Sequence, residues 1–255
     1  MKPERVAVYY INLDPSTERR ASIEAQLADA EIADAKRVAA FDGRKVALKD
    51  ATDYDDREAI RFLGRSVFNG EYGCYRSHLD ALRQFVGSDA AHALIIEDDA
   101  QISPDLMSSV GTALATLSDK NIAWDLLHLS ASKPMIMTRH VAAIRGEMLL
   151  LRAYYFPMTT TALLWSRATA MRFLRDFATI SMPVDMAIRE MMVAGGKGFA
   201  LAPPPVATTG VISDIDSEGD ARKRQGRHWS YGYCKQRRLW KNKIYALYRK
   251  LTEPV

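Results

Sequence analysis

Three consecutive carboxylates close an apolar run in ALIIEDDA, where Ala93 to Ile96 lead straight into Glu97, Asp98 and Asp99. Like charges packed this closely repel one another unless a cation offsets them. Two oxygen donors on one side suit a hard divalent ion such as Mn²⁺ or Mg²⁺. Side chains alternate along a strand, so Glu97 and Asp99 point one way and Asp98 the other. Glu97 and Asp99 are therefore the expected metal ligands. The plain alternative is a solvated loop or a helix cap.

Other residues could add chemistry around that centre. Arg19 and Arg20 sit early in a helix, where the macrodipole disfavours cations. An anion such as a diphosphate held at that strand–helix junction would explain them; pairing with Glu18 or Glu24 would equally do so. Asp42-Gly43 closes a short apolar stretch and offers a carboxylate to a base or ribose, against simple turn chemistry. Glu71, Cys74, His78 and Leu82 share one helical stripe. A histidine there is commonly a hydrogen-bonded core residue, but Glu71 on the same face suggests a polar role. Asp185, in SMPVDMAIREMM, is either an N-cap or a carboxylate base.

The elements that would position these groups follow from the apolar runs. Val6–Leu13 reads as a first strand ending at Asp14-Pro15, an N-cap followed by proline at the first helical position. The helix behind it carries Ile23 and Leu27 and reaches about Ala30. A second strand covers about 37–41, mixed short helices fill 44–65, and a long helix spans 71–86. The run 93–96 reads as a strand buried on both faces in the middle of a parallel sheet, and its acids then lie on the carboxyl rim where open α/β sheets bind ligands. Further on come a helix at 103–117, a strand at 125–130 and a hairpin or lid within 133–158. Strand 161–166 follows, with Ser166 capping the next helix. Another helix opens at Asp185 and stops at Gly195-Gly196, before a last strand, FALA, and the polar loop SDIDSEGD. Strands alternating with helices make an α/β fold with a mostly parallel sheet. There is no GxGxxG and no P-loop, so dinucleotide and ATP binding of the usual kinds are unsupported.

Composition sets outer limits. The chain has 255 residues, 48% hydrophobic and 26% charged, and a net charge of +4 concentrated toward its C-terminus. Cys74 and Cys234 match no zinc or redox spacing, which fits a reducing compartment. The N-terminal apolar run is too short and too interrupted for a signal peptide or a membrane span, so the expectation is a cytoplasmic protein.

Taken together, INLD followed by an Arg pair, then AAFDG, GEYGCYRSHL, ALIIEDDA and PVD come in the order seen in glycosyltransferase family 25, which the chain resembles over about residues 5–215. The resemblance implies a GT-A-like, Rossmann-type fold that binds a nucleotide sugar, usually UDP-galactose, with a divalent metal at a DxD-type motif. Glu97 and Asp99 stand where the two acids of that motif would be, with Asp99 the firmer because Glu97 has a longer arm. Asn12, Leu13, Arg19, Arg20, Asp42, Gly43, Glu71 and Asp98 would contribute to the donor pocket. Leu163 replaces the aromatic that the family often shows in TALLWS. The implied reaction is an inverting transfer to a saccharide acceptor of lipopolysaccharide or another cell-surface glycan, with Asp185 as base and His78 behind it. Two other classes remain open: a Mg²⁺-dependent phosphotransfer or receiver-like protein, and a transferase-like protein that binds without catalysing.

Residues 1–220 are expected to form the transferase domain and 221–255 a basic aromatic extension. From Arg222 onward, lysines and arginines alternate with Trp229, Tyr231, Tyr233, Trp240, Tyr245 and Tyr248. Such a stretch suits an anionic membrane surface on the inner face of the cytoplasmic membrane, where a lipid-linked acceptor would lie. A helix packed by its aromatics is the plain alternative, and no nucleic-acid motif accompanies the charge. His228 could add a C-terminal metal ligand.

Overall fold

Apolar runs too short for helices become strands buried on both faces, and these build the centre of the molecule. A computed structural model describes residues 5–131, 135–208 and 226–254. β1 (Val6–Asn12) lies between β2 (Lys36–Ala39) and β3 (His92–Glu97), parallel to both. On its other edge β3 meets β8 (Ala162–Ser166) antiparallel, and β8 is antiparallel to β5 (Leu126–His128). β9 (Gly198–Ala202), β7 (Met148–Ala153) and β6 (Thr138–Arg145) complete the order β2-β1-β3-β8-β5-β9-β7-β6. β2, β1, β3, β5, β9 and β6 run one way, and β8 and β7 the other. The expected α/β class with a mostly parallel strand sense holds. The antiparallel β8 is the departure, since β3 was expected between parallel neighbours. β6 and β7 form the expected hairpin, at the sheet edge, and β4 (Ala100–Ile102) pairs apart with β10 (Val206–Thr208).

Helices cover both faces, and the alternation of β1 and β3 sorts the core into two layers. Tyr9, Ile11, Ala93 and Ile95 pack with α2 (Asp56–Leu63), α3 (Asn69–Val86), α5 (Arg167–Asp176) and α6 (Val184–Val193). Val8, Tyr10, Leu94 and Ile96 pack with α1 (Thr17–Asp29) and α4 (Leu106–Asp119). Ala93, Leu94, Ile95 and Ile96 are all fully buried, as the run of four apolar residues requires.

Local signals mostly act as expected. Ser166 accepts from the Thr169 N–H and caps α5, and α6 ends at Ala194 before Gly195. Asp14 does not cap α1: it pairs with Arg37 at 2.6 Å, and Ser16 takes the N-cap position. The C-terminal stretch forms one helix, α7 (Tyr231–Thr252). Its aromatics do not pack it. Cys234, Asn242, Ala246 and Arg249 face inward instead. Arg238 donates to Phe62 O, Asn242 to Glu190, and Arg249 to the carbonyls of Met192, Val193 and Gly196. α7 therefore lies against α2 and α6 rather than standing apart as a tail. The loop 213–220 and residues 222–225 of the basic stretch lie outside the described residues.

Candidate functional site

The carboxyl ends of β1, β2 and β3 open together under the first turns of α3, where parallel strands leave a crevice. A cleft lies there. Its lining combines the apolar Ile11, Leu13, Ala40 and Phe41 with the acids Glu97, Asp98 and Asp99. Asn12, Leu13, Arg19, Asp42, Gly43, His78, Glu97, Asp98 and Asp99, all singled out from sequence, line it. Arg20, Glu71 and Asp185 do not.

At and just beyond the end of β3 the three acids enter different surroundings. Glu97 follows Ile95 toward α3, where its Oε1 accepts from His78 Nε2 at 3.0 Å and from the Thr160 hydroxyl at 2.6 Å. The Cys74 thiol lies at 4.0 Å from the same oxygen. Burial raises the Glu97 carboxyl, but the His78 and Thr160 contacts outweigh it and hold it below the ordinary value. Asp98 follows Ile96 toward α1, accepts from Asn12 Nδ2 at 2.7 Å and pairs with Arg19 at 3.7 Å. Asn12 is buried, and its Oδ1 accepts from Arg37 Nε, so it ties the end of β1 to both β2 and the acids. Asp99 has an Oδ1 that is buried with no hydrogen-bond partner among the described residues. Burial, then the charges of Glu97 and Asp98, push its carboxyl up to about 6 against the opposing pull of Arg19.

Close backbone approach fixes the cleft floor. A Cβ on Gly73 would fall 2.5 Å from Phe41 O and 2.7 Å from Gly43 N. One on Gly43 would fall 1.8 Å from Asn69 O. The glycines of FDG and GEYGC therefore serve each other: only without side chains can α3 cross the end of β2. Asp42 caps the short 3₁₀ turn Gly43–Lys45 by accepting from Arg44 N and takes Arg44 in a two-pronged pair. The turn reading of Asp42 therefore holds, and the residue also lines the cleft.

A second group of acids lies behind the cleft. Asp185 is the second residue of α6 rather than its N-cap, which is Pro183. Burial, with the charges of Glu71 and Glu97 adding, pushes it up to about 6, against the Met186 N–H and Arg189. Glu71 is committed to structure: it accepts from Phe68 N and from both Arg65 nitrogens at 2.6 and 2.8 Å. Burial and then Glu97, Asp185, Asp99 and Glu71 all raise the Cys74 thiol, so the four acids converge around it.

Arg20 pairs with Glu24 at 2.9 Å, and Tyr10 donates to the same carboxylate, so Arg20 takes its ordinary helical partner away from the cleft. The His228 ring lies against the Ser230 hydroxyl at 2.8 Å at the start of α7, and the His228 backbone N–H donates to Gly64 O. Sequence reasoning passed over Phe41, Ser77, Arg37 and Thr160. Phe41 was legible as the aromatic before Asp42; Thr160, 63 positions from Glu97, carried no signal.

A divalent cation fits what is present. The partnerless buried oxygen of Asp99, and its carboxyl pushed up to about 6, are what a cation would relieve. Cys74, His78 and Glu97 also bring ligand atoms within 4.8 Å of one another. Burial and the surrounding acids disfavour the thiolate, so oxygen donors set the preference for a hard ion.

Comparison with known proteins agrees in part. The sequence model of glycosyltransferase family 25, described as LPS biosynthesis protein, matches residues 6–188. "Probable inactive glycosyltransferase 25 family member 3" of Rattus norvegicus is 27% identical over 135 residues, 50% of this chain and 23% of that protein. "Procollagen galactosyltransferase 1" of Danio rerio is 25% identical over 137 residues, 51% of this chain and 22% of that protein. The alignments thus take in about half of this chain and less than a quarter of these relatives. Residues 1–349 of S. aureus TarS superpose with a TM-score of 0.42 at 13% identity, covering 80% of this chain and 60% of that one, a likeness too slight to argue from. Among the described residues no helix is long and apolar enough to cross a membrane.

Proposed function

Because the chain belongs to glycosyltransferase family 25, we propose that it is a metal-dependent transferase moving a sugar from a nucleotide donor, UDP-galactose first among them, to a saccharide acceptor. Lipopolysaccharide or another cell-surface glycan is the acceptor class. The observation that carries this reading is the cleft at the carboxyl ends of β1–β3, lined by apolar residues and by three acids of which Asp99 keeps a buried oxygen without a partner. Mn²⁺ or Mg²⁺ would be held by Asp99 and Glu97 and would supply Lewis-acid stabilisation of the departing diphosphate.

The chain's own residues divide the remaining work. Ile11, Leu13, Ala40 and Phe41 offer a surface for the base, with Asp42 at its edge. Arg19 lies beside Asp98, where negative charge on the leaving group would gather. His78 is buried and bound to Glu97, which makes it a group that orients the carboxylate rather than one that meets the acceptor. Asp185 is assigned as the base on its place beside the cleft residues Cys74 and Glu97, whose groups its charge reaches, and on a carboxyl raised to about 6, which is ionised at neutral pH and still basic enough to take a hydroxyl proton. Attack on the face opposite the leaving group inverts the anomeric centre.

Release of UDP from UDP-galactose tests the assignment, with Mn²⁺ present and an oligosaccharide acceptor supplied. Asp99→Asn should cut the rate by about 100-fold or more, as removal of a central charged group does. Turnover at the wild-type rate in that variant would sink the reading. A second reading, binding without turnover, draws on the relative named as probably inactive. Nucleotide-sugar binding with no UDP release would favour it. The receiver-like reading has no remaining support, since the family match covers the acidic strand itself.

A further inference from the structure

The outward face of α7 is built unlike the rest of the surface. Cys234, Asn242, Ala246 and Arg249 define its packed side. At 100° per residue the opposite side carries Tyr233, Trp240, Ile244, Leu247 and Leu251 in a single row. These five side chains are between 47% and 75% exposed, although each is large and apolar. Trp229, just before the helix, is 90% exposed. Lys243 and Lys250 border the row on one side, Arg237 and Lys241 on the other. The helix contains no acidic residue. The inward basic groups, Arg238 and Arg249, are engaged with backbone carbonyls and Glu253. Of the rim, Lys241 reaches Glu190 and Arg237 donates to Arg61 O.

We propose that this face of α7 lies on an anionic phospholipid surface, with the apolar row entering the headgroup boundary and the basic rim meeting lipid phosphates. Tryptophan and tyrosine suit that boundary because one end of the ring system is apolar and the other polar. Lysine stems cover apolar area while their ammonium groups reach outward. A second copy of the chain is a poorer occupant. A symmetric pairing through this row would set basic rim against basic rim, with no acid on the helix to meet it. The same helix is bonded to α6 through Asn242 and Arg249, and α6 begins at Asp185. Docking would therefore hold the candidate site at a fixed height above the bilayer. The inference does not depend on the donor or on turnover.

Co-sedimentation of the full chain with vesicles tests it without any activity readout. Vesicles of phosphatidylethanolamine with phosphatidylglycerol are compared with phosphatidylcholine alone, at low and high salt. The wild type should bind the anionic vesicles, release as salt rises, and leave phosphatidylcholine largely unbound. Trp240→Ser/Ile244→Ser/Leu251→Ser removes three of the five side chains of the row, and Lys243→Glu/Lys250→Glu reverses one rim. Each should weaken vesicle binding by about tenfold or more. All five positions lie off the packed side, and an unchanged circular dichroism spectrum and Tm establish that each variant is folded. Wild-type protein that stays in the supernatant overturns the proposal, as does a serine variant that binds like wild type. Sedimentation velocity then reads the alternative, a dimer that the serine substitutions break.

Discussion

Asp99→Asn should make the protein more stable while disabling its proposed metal site. The carboxyl is pushed from an ordinary 3.8 up to about 6 by burial and by Glu97 and Asp98. In the unfolded chain the group ionises at its ordinary value, so between 3.8 and about 6 the folded state binds more protons. Folding is therefore penalised as pH rises through that window, and the penalty is constant above it. At about 1.36 kcal/mol per pH unit the ceiling is about 3 kcal/mol. Partial exposure of the side chain, and an amide that gains no partner for the buried oxygen, reduce the expected gain to about 1–2 kcal/mol. For a chain of this size that is a Tm rise of about 3–6 °C. The assay is thermal unfolding in a chelator at pH 8 and pH 4. The gain should appear at pH 8 and largely vanish at pH 4, where the wild-type carboxyl is already protonated in the folded state. Mn²⁺ should raise the Tm of the wild type and leave the variant unmoved. A variant less stable than wild type at pH 8 would refute the claim that the acids strain the metal-free site.

Three further outcomes follow from the same geometry. Gly73→Ala would bring a Cβ against Phe41 O and Gly43 N, both backbone, and should cost about 2–3 kcal/mol in urea unfolding, whereas Gly111→Ala, with open space around it, should be neutral or slightly stabilising. Thr160→Val removes a hydroxyl that donates to Glu97 at 2.6 Å and should lower Mn²⁺ affinity by about tenfold with the fold intact; equal affinity would mean that the hydroxyl does not orient Glu97. With Asp185 as base, kcat should fall below a limb near pH 6, because the carboxylate raised to about 6 must be ionised to accept a proton, and Asp185→Gln should abolish that limb along with most of the rate.

The carboxyl-rim location of the acids was readable because an apolar run four residues long has few fates other than a central strand, and the charges after it must leave the core. β3 ends at Glu97, so Asp98 and Asp99 both lie in the turn beyond it, where strand alternation no longer governs direction, and Asp99 is the acid that feels both neighbours. The antiparallel β8 was not legible, since TALLWS is as apolar as a parallel core strand would be and carries no mark of direction. The glycines of FDG and GEYGC stood out as motif letters, but their mutual contact is a tertiary fact. In α7 the plain alternative, a helix packed by its aromatics, does not hold: Arg249 goes inward because three backbone carbonyls near the end of α6 accept from it. A buried guanidinium with that many acceptors is satisfied, and the tryptophan and tyrosines are left outside.

Calorimetric titration with UDP-sugars tests the central claim most directly. The account predicts that a UDP-sugar, UDP-galactose among the tightest, binds in Mn²⁺, that a chelator weakens it by about tenfold or more, and that Asp99→Asn removes the metal dependence. A folded protein that binds no nucleotide sugar in Mn²⁺, or binds one equally well in chelator, would contradict it.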